Sequence, residues 1–375
     1  MLEMFNEWVE SRHEYARQWK KKNPDRKIIG YFCTYVPEEI LYAGNILPVR
    51  ILGSHEPQNV TEPHIFGMFC PFCRDCLAQG LEGRYDYLDG IMIAQSCLHI
   101  RQAYASWTLH IPVDYQYYLP MPSSTQIPRS IQFLTGEYLD FKKSLEKWLR
   151  RSISDNDLDR GIQIMNQNRR LMRQVYETRK DNPPPLTGLE AMDMVVSSQL
   201  IDKTEHNRIL EDVLKLLPNR KLNRPIGKRL MILGSENDDR IFVKMVESVG
   251  ATIVIDDHCT GSRYFWQEVE PDGDRLTSIA TRYVGRPPCP SKDWPERRRL
   301  DHVLELAKEW DVSGAIIIQQ KFCDPHEMDI PAQKKYLNEH GIPTLILELD
   351  VTVPVGQFRI RMEAFLEMIG QEDLF

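Results

Sequence analysis

Three of the chain's eight cysteines fall in one short stretch, Cys70-Pro71-Phe72-Cys73-Arg74-Asp75-Cys76. A fourth, Cys97, stands in Gln95-Ser96-Cys97-Leu98-His99, and a fifth, Cys323, in Gln320-Lys321-Phe322-Cys323-Asp324-Pro325. Each of the last two follows an apolar run that reads as a buried strand. Thiolates delivered to strand ends are what a zinc or iron–sulfur site needs. The spacing is uneven: 27 residues from Cys70 to Cys97, then 226 to Cys323. A ferredoxin-type run takes its ligands from one local loop, and a zinc ribbon uses paired knuckles; neither pattern is present. A lone cysteine at a strand end is more often an inert buried residue. The trio at 70, 73 and 76 tips the balance toward a metal site. Cys73 and Cys76 stand as further ligands or as neighbours of the site. Cys33, just after an early strand, stays ambiguous, and Cys259 and Cys289 are read as structural.

Other candidate groups lie beside these cysteines. His99 and Arg101 follow Cys97, close to any cluster and to an anionic or acyl ligand; the plainer reading is a first helical turn with Arg101 in a surface ion pair. His326, three residues after Cys323, is a candidate for proton transfer, or part of a solvated loop. Asp256-Asp257-His258-Cys259 could bind a metal but reads better as carboxylates capping a turn or helix. The chain has no G-x-x-x-x-G-K-[ST] phosphate loop. Gly234-Ser235-Glu236-Asn237 after a strand is not a dinucleotide fingerprint.

The elements that must position these residues alternate. Apolar runs at 27–32, 47–51, 88–94 and 113–117 read as strands, with helices between them. One follows Pro37, one opens at the cysteine stretch and runs to Gly83, and one covers 101–107. Residues 1–25 show helical spacing (Phe5, Trp8, Val9, Tyr15, Trp19). From 128 to about 217 the pattern is helical only: a long amphipathic helix to Leu149, another from Leu158 to about Arg179, then 189–200 and 204–217. Strands return at 229–235, 251–257, 314–319 and 344–348, with helices at 238–249, 301–310, 330–339 and 357–369. Residues 267–298 read as a polar, proline-rich irregular excursion. Strand–helix alternation predicts an α/β fold: two doubly wound parallel-sheet domains with a helical insert and a helical N-terminus. The predicted division is 1–127, 128–225 and 226–375. The two α/β halves have similar order, as in a duplicated fold, and ligands of such sheets sit beyond the carboxyl ends of the strands.

Bulk properties narrow the class. At 375 residues, with 42% hydrophobic residues and a mean hydropathy of −0.43, this is an ordinary soluble multi-domain chain. A net charge of −7 argues against nucleic-acid affinity. No apolar run is long enough to span a bilayer, and the acidic, amphipathic N-terminus is no signal peptide. The expectation is a cytoplasmic protein with reduced thiols.

Four passages together carry a resemblance. They are Cys70-Pro71-Phe72-Cys73-Arg74 with Gly83-Arg84-Tyr85-Asp86-Tyr87-Leu88-Asp89-Gly90; Ser96-Cys97 followed by Ile100-Arg101; Val249-Gly250-Ala251 to Gly261-Ser262-Arg263-Tyr264-Phe265; and Gln320-Lys321-Phe322-Cys323-Asp324-Pro325. With the closing helix from Arg359 to Glu367, the chain resembles the 2-hydroxyacyl-CoA dehydratase and benzoyl-CoA reductase superfamily over nearly its whole length. The resemblance implies a [4Fe-4S] cluster held by three cysteines, by position Cys70, Cys97 and Cys323, with the fourth iron left for another ligand or substrate. Cys73 and Cys76 are extra to that pattern, and a larger cluster with more thiolates is compatible with them. Within the superfamily, the passage from Ser96 to Tyr104 is most similar to the C (gamma) subunits of ATP-dependent benzoyl-CoA reductases. The implied reaction is two-electron reduction of the aromatic ring to a cyclic dienoyl-CoA, driven by reduced ferredoxin. The implied partners are a paralogous cluster-bearing subunit and two ATPase or activator-type iron–sulfur subunits, which fits the absent phosphate loop, and an acyl-CoA is the substrate. His99 and His326 are candidate proton donors and Arg101 a candidate substrate contact. Two alternatives stay open: a subunit of a 2-hydroxyacyl-CoA dehydratase, and a non-catalytic cluster carrier.

Overall fold

The computed structural model describes residues 1–372; the last three residues of the third predicted region lie outside them. Eight strands form two parallel four-stranded sheets. The first contains β1 (Ile28–Tyr31), β2 (Leu47–Arg50), β3 (Gly90–Ala94) and β4 (Tyr115–Leu119), in the order β2-β1-β3-β4. The second contains β5 (Lys228–Gly234), β6 (Ala251–Asp257), β7 (Gly314–Gln320) and β8 (Thr344–Leu349), in the order β6-β5-β7-β8. The two orders are the same permutation, so the halves share one topology. Runs such as Ala315-Ile316-Ile317-Ile318 are buried on both faces, which is why they read as unbroken apolar strings rather than alternating ones. All eight predicted strands are present, within about two residues at each end.

Between the sheets runs the helical segment: Ser130–Leu149, Asp155–Glu177, Gly188–Ser198 and Lys203–Leu216. Capping boxes at Ser154/Asp157 and Thr187/Glu190 start two of these helices, each satisfying otherwise orphaned backbone donors. The helix Asp155–Glu177 packs on Glu38–Ala43 at Gly161, where a Cβ would stand 2.1 Å from the Glu39 carbonyl oxygen. Only glycine permits that approach.

Two readings are corrected. The N-terminal segment is two helices, Leu2–Glu10 and Arg12–Lys22, broken at Ser11, whose side chain bonds back to the Glu7 carbonyl at 2.6 Å. That local bond competes with helix continuation. The excursion at 267–298 contains a helix, Arg275–Gly285, capped by Asp274. Its buried stripe, Leu276, Ile279, Ala280 and Tyr283, joins Leu134 and Tyr138 over β1 and β3 of the first sheet. A chain stretch from the second half thus completes the core of the first.

Candidate iron–sulfur cavity

In each sheet the strand order reverses between the first and third strands, and a crevice opens at their carboxyl ends. The two crevices face one cavity. β1 leads into Cys33, β2 ends on Arg50, β3 leads to Ser96 and Cys97, β5 to Ser235 and Glu236, β6 to Cys259, and β7 to Cys323; all of these line the cavity. Cys70, Cys73 and Cys289 line it as well. The cavity holds about 710 Å³ of space free of protein atoms, its mouth included, of which about 80 Å³ is reachable by the centre of a water molecule.

Cys70, Cys97 and Cys323 share one local device. Each is the residue immediately before a helix: Pro71–Leu81, Leu98–His110 and Asp324–Glu339. Helix N-termini present unpaired backbone N–H groups and the positive end of the helix dipole, which favour an anionic sulfur. Proline in the first turn, Pro71 and Pro325, removes a donor that has no intrahelical partner there. Before Cys323 the chain turns sharply, with Phe322 in the left-handed region at φ 62°. Opposite that turn Gly234, at φ 120°, lets β5 approach β7; a Cβ would lie 2.1 Å from the Ile318 carbonyl oxygen. Cys70 stands close enough to Cys73 and Cys323 for each to influence its titration. Burial and the nearby Cys323 push the Cys97 thiol well up; the neighbouring Cys70, then burial, push the Cys323 thiol up. A bound metal cation replaces the thiol proton and reverses that preference.

Cys76 points elsewhere. Its thiol faces the Ile51 carbonyl at 3.5 Å, outside the cavity wall. His99 also stands outside the wall. Its Nδ1 accepts the Cys70 backbone N–H at 3.1 Å, and Phe69 meets its ring edge-on at 4.7 Å. Burial holds it below the usual histidine range, with Asp324 opposing, so it acts as a neutral acceptor that positions Cys70. Arg101 sits on the first turn of its helix, away from the cavity. His326 does line the cavity; its Nδ1 is buried without a partner, and burial keeps the ring neutral. Asp256 accepts the Ser262 N–H at 2.6 Å, at the start of the following short helix, whereas Asp257 caps nothing and pairs with Arg299 at 2.6 Å.

Charged groups complete the wall. Arg50, Arg263 and Arg286 are each no more than 3% exposed and face the cavity. Arg263 pairs with Asp257 at 3.2 Å. Arg50 and Arg286 form no ion pair among the described residues: Arg50 donates to Gln199 at 3.0 Å, Arg286 donates to the Thr34 carbonyl at 2.9 Å, and the Nε of each is buried without a partner. A buried charge without a counterion is costly, so the cavity is built for an anion. Glu236 also faces it, both oxygens buried and unpartnered. Burial, then the neighbouring Asp238, raise its carboxyl well above the carboxylate range, which favours its protonated form. The sequence reading passed over Arg50, Arg286 and Glu236. The strand ends that Arg50 and Glu236 occupy were the available signal.

Among the described residues no three or more His, Cys, Asp or Glu side chains converge as the ligands of a single ion would. A cubane cluster asks for something different, one thiolate at each of several irons, so its ligands line a cavity instead of meeting at a point. The thiol-rich, cation-backed wall suits that group.

A family model described as "2-hydroxyglutaryl-CoA dehydratase, D-component" matches residues 33–369. Similar proteins include the C subunit of benzoyl-CoA reductase from Thauera aromatica, 28% identical over 334 residues, covering 88% of this chain and 86% of that one. The (R)-phenyllactyl-CoA dehydratase beta subunit of Clostridium sporogenes is 27% identical over 369 residues, 97% of each chain. The beta subunit of (R)-2-hydroxyglutaryl-CoA dehydratase from Acidaminococcus fermentans is 26% identical, covering 93% of this chain and 94% of that one. No helix among the described residues is long and apolar enough to cross a membrane. On the strength of a match that runs from Cys33, just beyond β1, through residue 369, the chain belongs to the 2-hydroxyglutaryl-CoA dehydratase D-component family.

Proposed function

We propose that this chain is the cluster-bearing subunit of an ATP-dependent, ferredoxin-driven benzoyl-CoA reductase, reducing the aromatic ring to a cyclic dienoyl-CoA. The observation that carries the cluster reading is the convergence of Cys70, Cys97 and Cys323, from two sheets and three helix N-termini, on one cavity. These three would hold a [4Fe-4S] cluster, with Cys73 beside them, and the cluster when bound would supply single electrons at low potential. The chain's own residues do the rest. The helix N-termini and Arg50 and Arg286 offset negative charge, and the largely apolar wall limits the water beside it. Proton delivery falls to a group that faces the cavity and holds a proton: Glu236 meets both conditions, His326 faces the cavity as a neutral ring, and His99 is committed to the Cys70 amide. A basic contact for the acyl-CoA falls to Arg101 only if the substrate reaches outside the wall. The partners of this reading are a paralogous cluster-bearing subunit, ATPase-type activator subunits and ferredoxin, in the cytoplasm. Exposed apolar side chains next to the cavity cysteines, Met68, Leu98, Phe322 and Met328, offer the paralogous protein a docking face.

The dehydratase reading has equal support from relatives, because the phenyllactyl-CoA dehydratase beta subunit aligns over 97% of both chains. ATP stoichiometry separates the two. With the purified complex, reduced ferredoxin and benzoyl-CoA, the reductase consumes ATP at every turnover and yields the dienoyl-CoA. Elimination of water from a 2-hydroxyacyl-CoA after a single ATP-dependent activation, with benzoyl-CoA untouched, would establish the dehydratase instead.

A further inference from the structure

We propose that protons enter the cavity from a small niche behind its wall, through one water molecule that Glu236 and Gln320 hold between niche and cavity. The inference deepens the reading of Glu236 as the proton donor and rests on it.

The niche lies on the far side of Glu236 from the cavity. His55 and Asp75 line it, and Val351 and the exposed Asp350 border it toward solvent. It has about 220 Å³ of space free of protein atoms, of which about 10 Å³ is reachable by the centre of a water molecule. That is room for about one water. Phe72, Glu236 and Gln320 line both the niche and the cavity, so these three side chains form the partition between them.

The partition carries unmet acceptors. Both Glu236 carboxyl oxygens and the Gln320 Oε1 are buried with no partner in the protein. The Gln320 amide is fixed by its Nε2, which donates to the Glu236 carbonyl at 3.1 Å. A buried acceptor left unmet costs about 1–3 kcal/mol. A water donates to two of these oxygens, and a proton on the Glu236 carboxyl supplies the third with a role as donor.

The neighbouring carboxylates are already committed. Asp75 accepts the Ser54 and His55 backbone N–H groups, each at 2.9 Å, and holds His55 in the left-handed region at φ 60°, a conformation that persists only where its surroundings fix it. The His55 ring in turn bonds Asp238 at 2.6 Å. Glu236 is the one of these three carboxyls free to carry a proton inward. Of the charged groups facing it, Asp238 and Asp75 oppose its ionisation, Arg50 at the end of β2 and His55 favour it, and burial decides for the acid. In the transfer, Glu236 releases its proton into the cavity and becomes a carboxylate. The niche water gives it one proton and takes another from solvent on the Asp350 side. One proton moves inward and no electron moves with it.

Infrared spectroscopy of the full-length protein moved into D2O tests the route. Loss in Glu236→Gln identifies the carboxylic-acid C=O band of Glu236, and the shift of that band on deuteration times the exchange. Gln320→Leu removes the second anchor of the water and should slow exchange about fivefold, what one net hydrogen bond is worth. Val351→Phe fills the niche from its solvent side without touching a buried polar group, and should slow it at least as much. Both variants should also raise the solvent deuterium isotope effect on turnover of the complex, which a merely structural lesion leaves unchanged; circular dichroism checks folding. Wild-type exchange in both variants, with turnover still lost in Glu236→Gln, overturns the niche as the route and leaves Glu236 as the donor. Undiminished turnover in Glu236→Gln overturns the donor reading and the route with it.

Discussion

The two cysteine sets in one cavity reach their positions by different physics. Cys70, Cys97 and Cys323 each cap a helix, so their anionic form is favoured by backbone N–H groups and the helix dipole. Cys33, Cys259 and Cys289 have no long helix behind them; they are surrounded by Arg50, Arg263, Arg286 and Lys292. One set is served by backbone dipoles, the other by buried side-chain charges.

Cysteine substitution gives the largest effect. Cys97→Ser, removing a dipole-backed thiolate, should lower turnover of the complex by more than about 100-fold, beyond what loss of an outer partner of a metal ligand costs. Steady-state assays with iron analysis check it; near-normal rates would remove Cys97 from the site.

Comparing arginines sharpens the contrast next. Arg299 is buried between Asp257 at 2.6 Å and Asp329 at 2.7 Å. Arg299→Met removes the cation that bridges the two carboxylates, leaving Asp257 to Arg263 and Asp329 to Arg297, and should destabilise the chain by about 3 kcal/mol, with or without metal. Arg50 has no such partner, so Arg50→Met should leave the metal-free chain as stable as wild type or more so, yet lower its iron content. Thermal melts of metal-free and loaded protein read both. Equal destabilisation of the metal-free chain by the two variants would mean that Arg50 is an ordinary structural cation.

Glu236→Gln keeps shape and removes the proton. Turnover should drop by about 100-fold with iron content unchanged; loss of iron would make Glu236 a structural or ligating group.

A smaller effect concerns the outer side of the same wall. His55 Nε2 lies 2.6 Å from Asp238. Burial alone would lower its pKa, but the Asp238 carboxylate outweighs it and raises His55 to about 10. Its folded value exceeds the unfolded one of about 6.5, so the pair's contribution is complete below about pH 6.5 and is lost as pH rises through about 10. His55→Gln should therefore cost about 2 kcal/mol at pH 6 and nearly nothing above pH 10, as denaturant titrations at several pH values would show. A pH-independent difference would exclude the ion pair as the cause.

Smallest is the turn before Cys323. Phe322→Gly relieves a left-handed residue and should change stability by no more than about 1 kcal/mol, while leaving iron content intact.

These residues also mark what was legible in the sequence. Strands buried on both faces announce themselves as apolar strings, and Cys97 and Cys323 could be placed at strand ends because Ile91–Ala94 and Ala315–Ile318 are such strings. Helix Arg275–Gly285 was not legible, since its four buried apolar positions lie between proline-rich polar flanks and their partners, Leu134 and Tyr138, are more than a hundred residues away. Cys33 and Cys259 follow strands as Cys97 does, and the same rule applied evenly would have placed both at the cavity wall. Cys289 follows no strand, and nothing local distinguishes it. Nothing local marks Arg50 and Arg286, because only the assembled cavity brings each into a buried wall without an ion pair among the described residues.

The central claim is that Cys70, Cys97 and Cys323 hold an iron–sulfur cluster where both sheets meet. EPR of the anaerobically purified, reduced chain tests it most directly, comparing wild type with Cys70→Ala, Cys97→Ala and Cys323→Ala at equal protein and with folding verified. The account predicts a cluster signal in wild type that is lost or changed in all three variants. An identical signal in wild type and in every one of the three variants would contradict it.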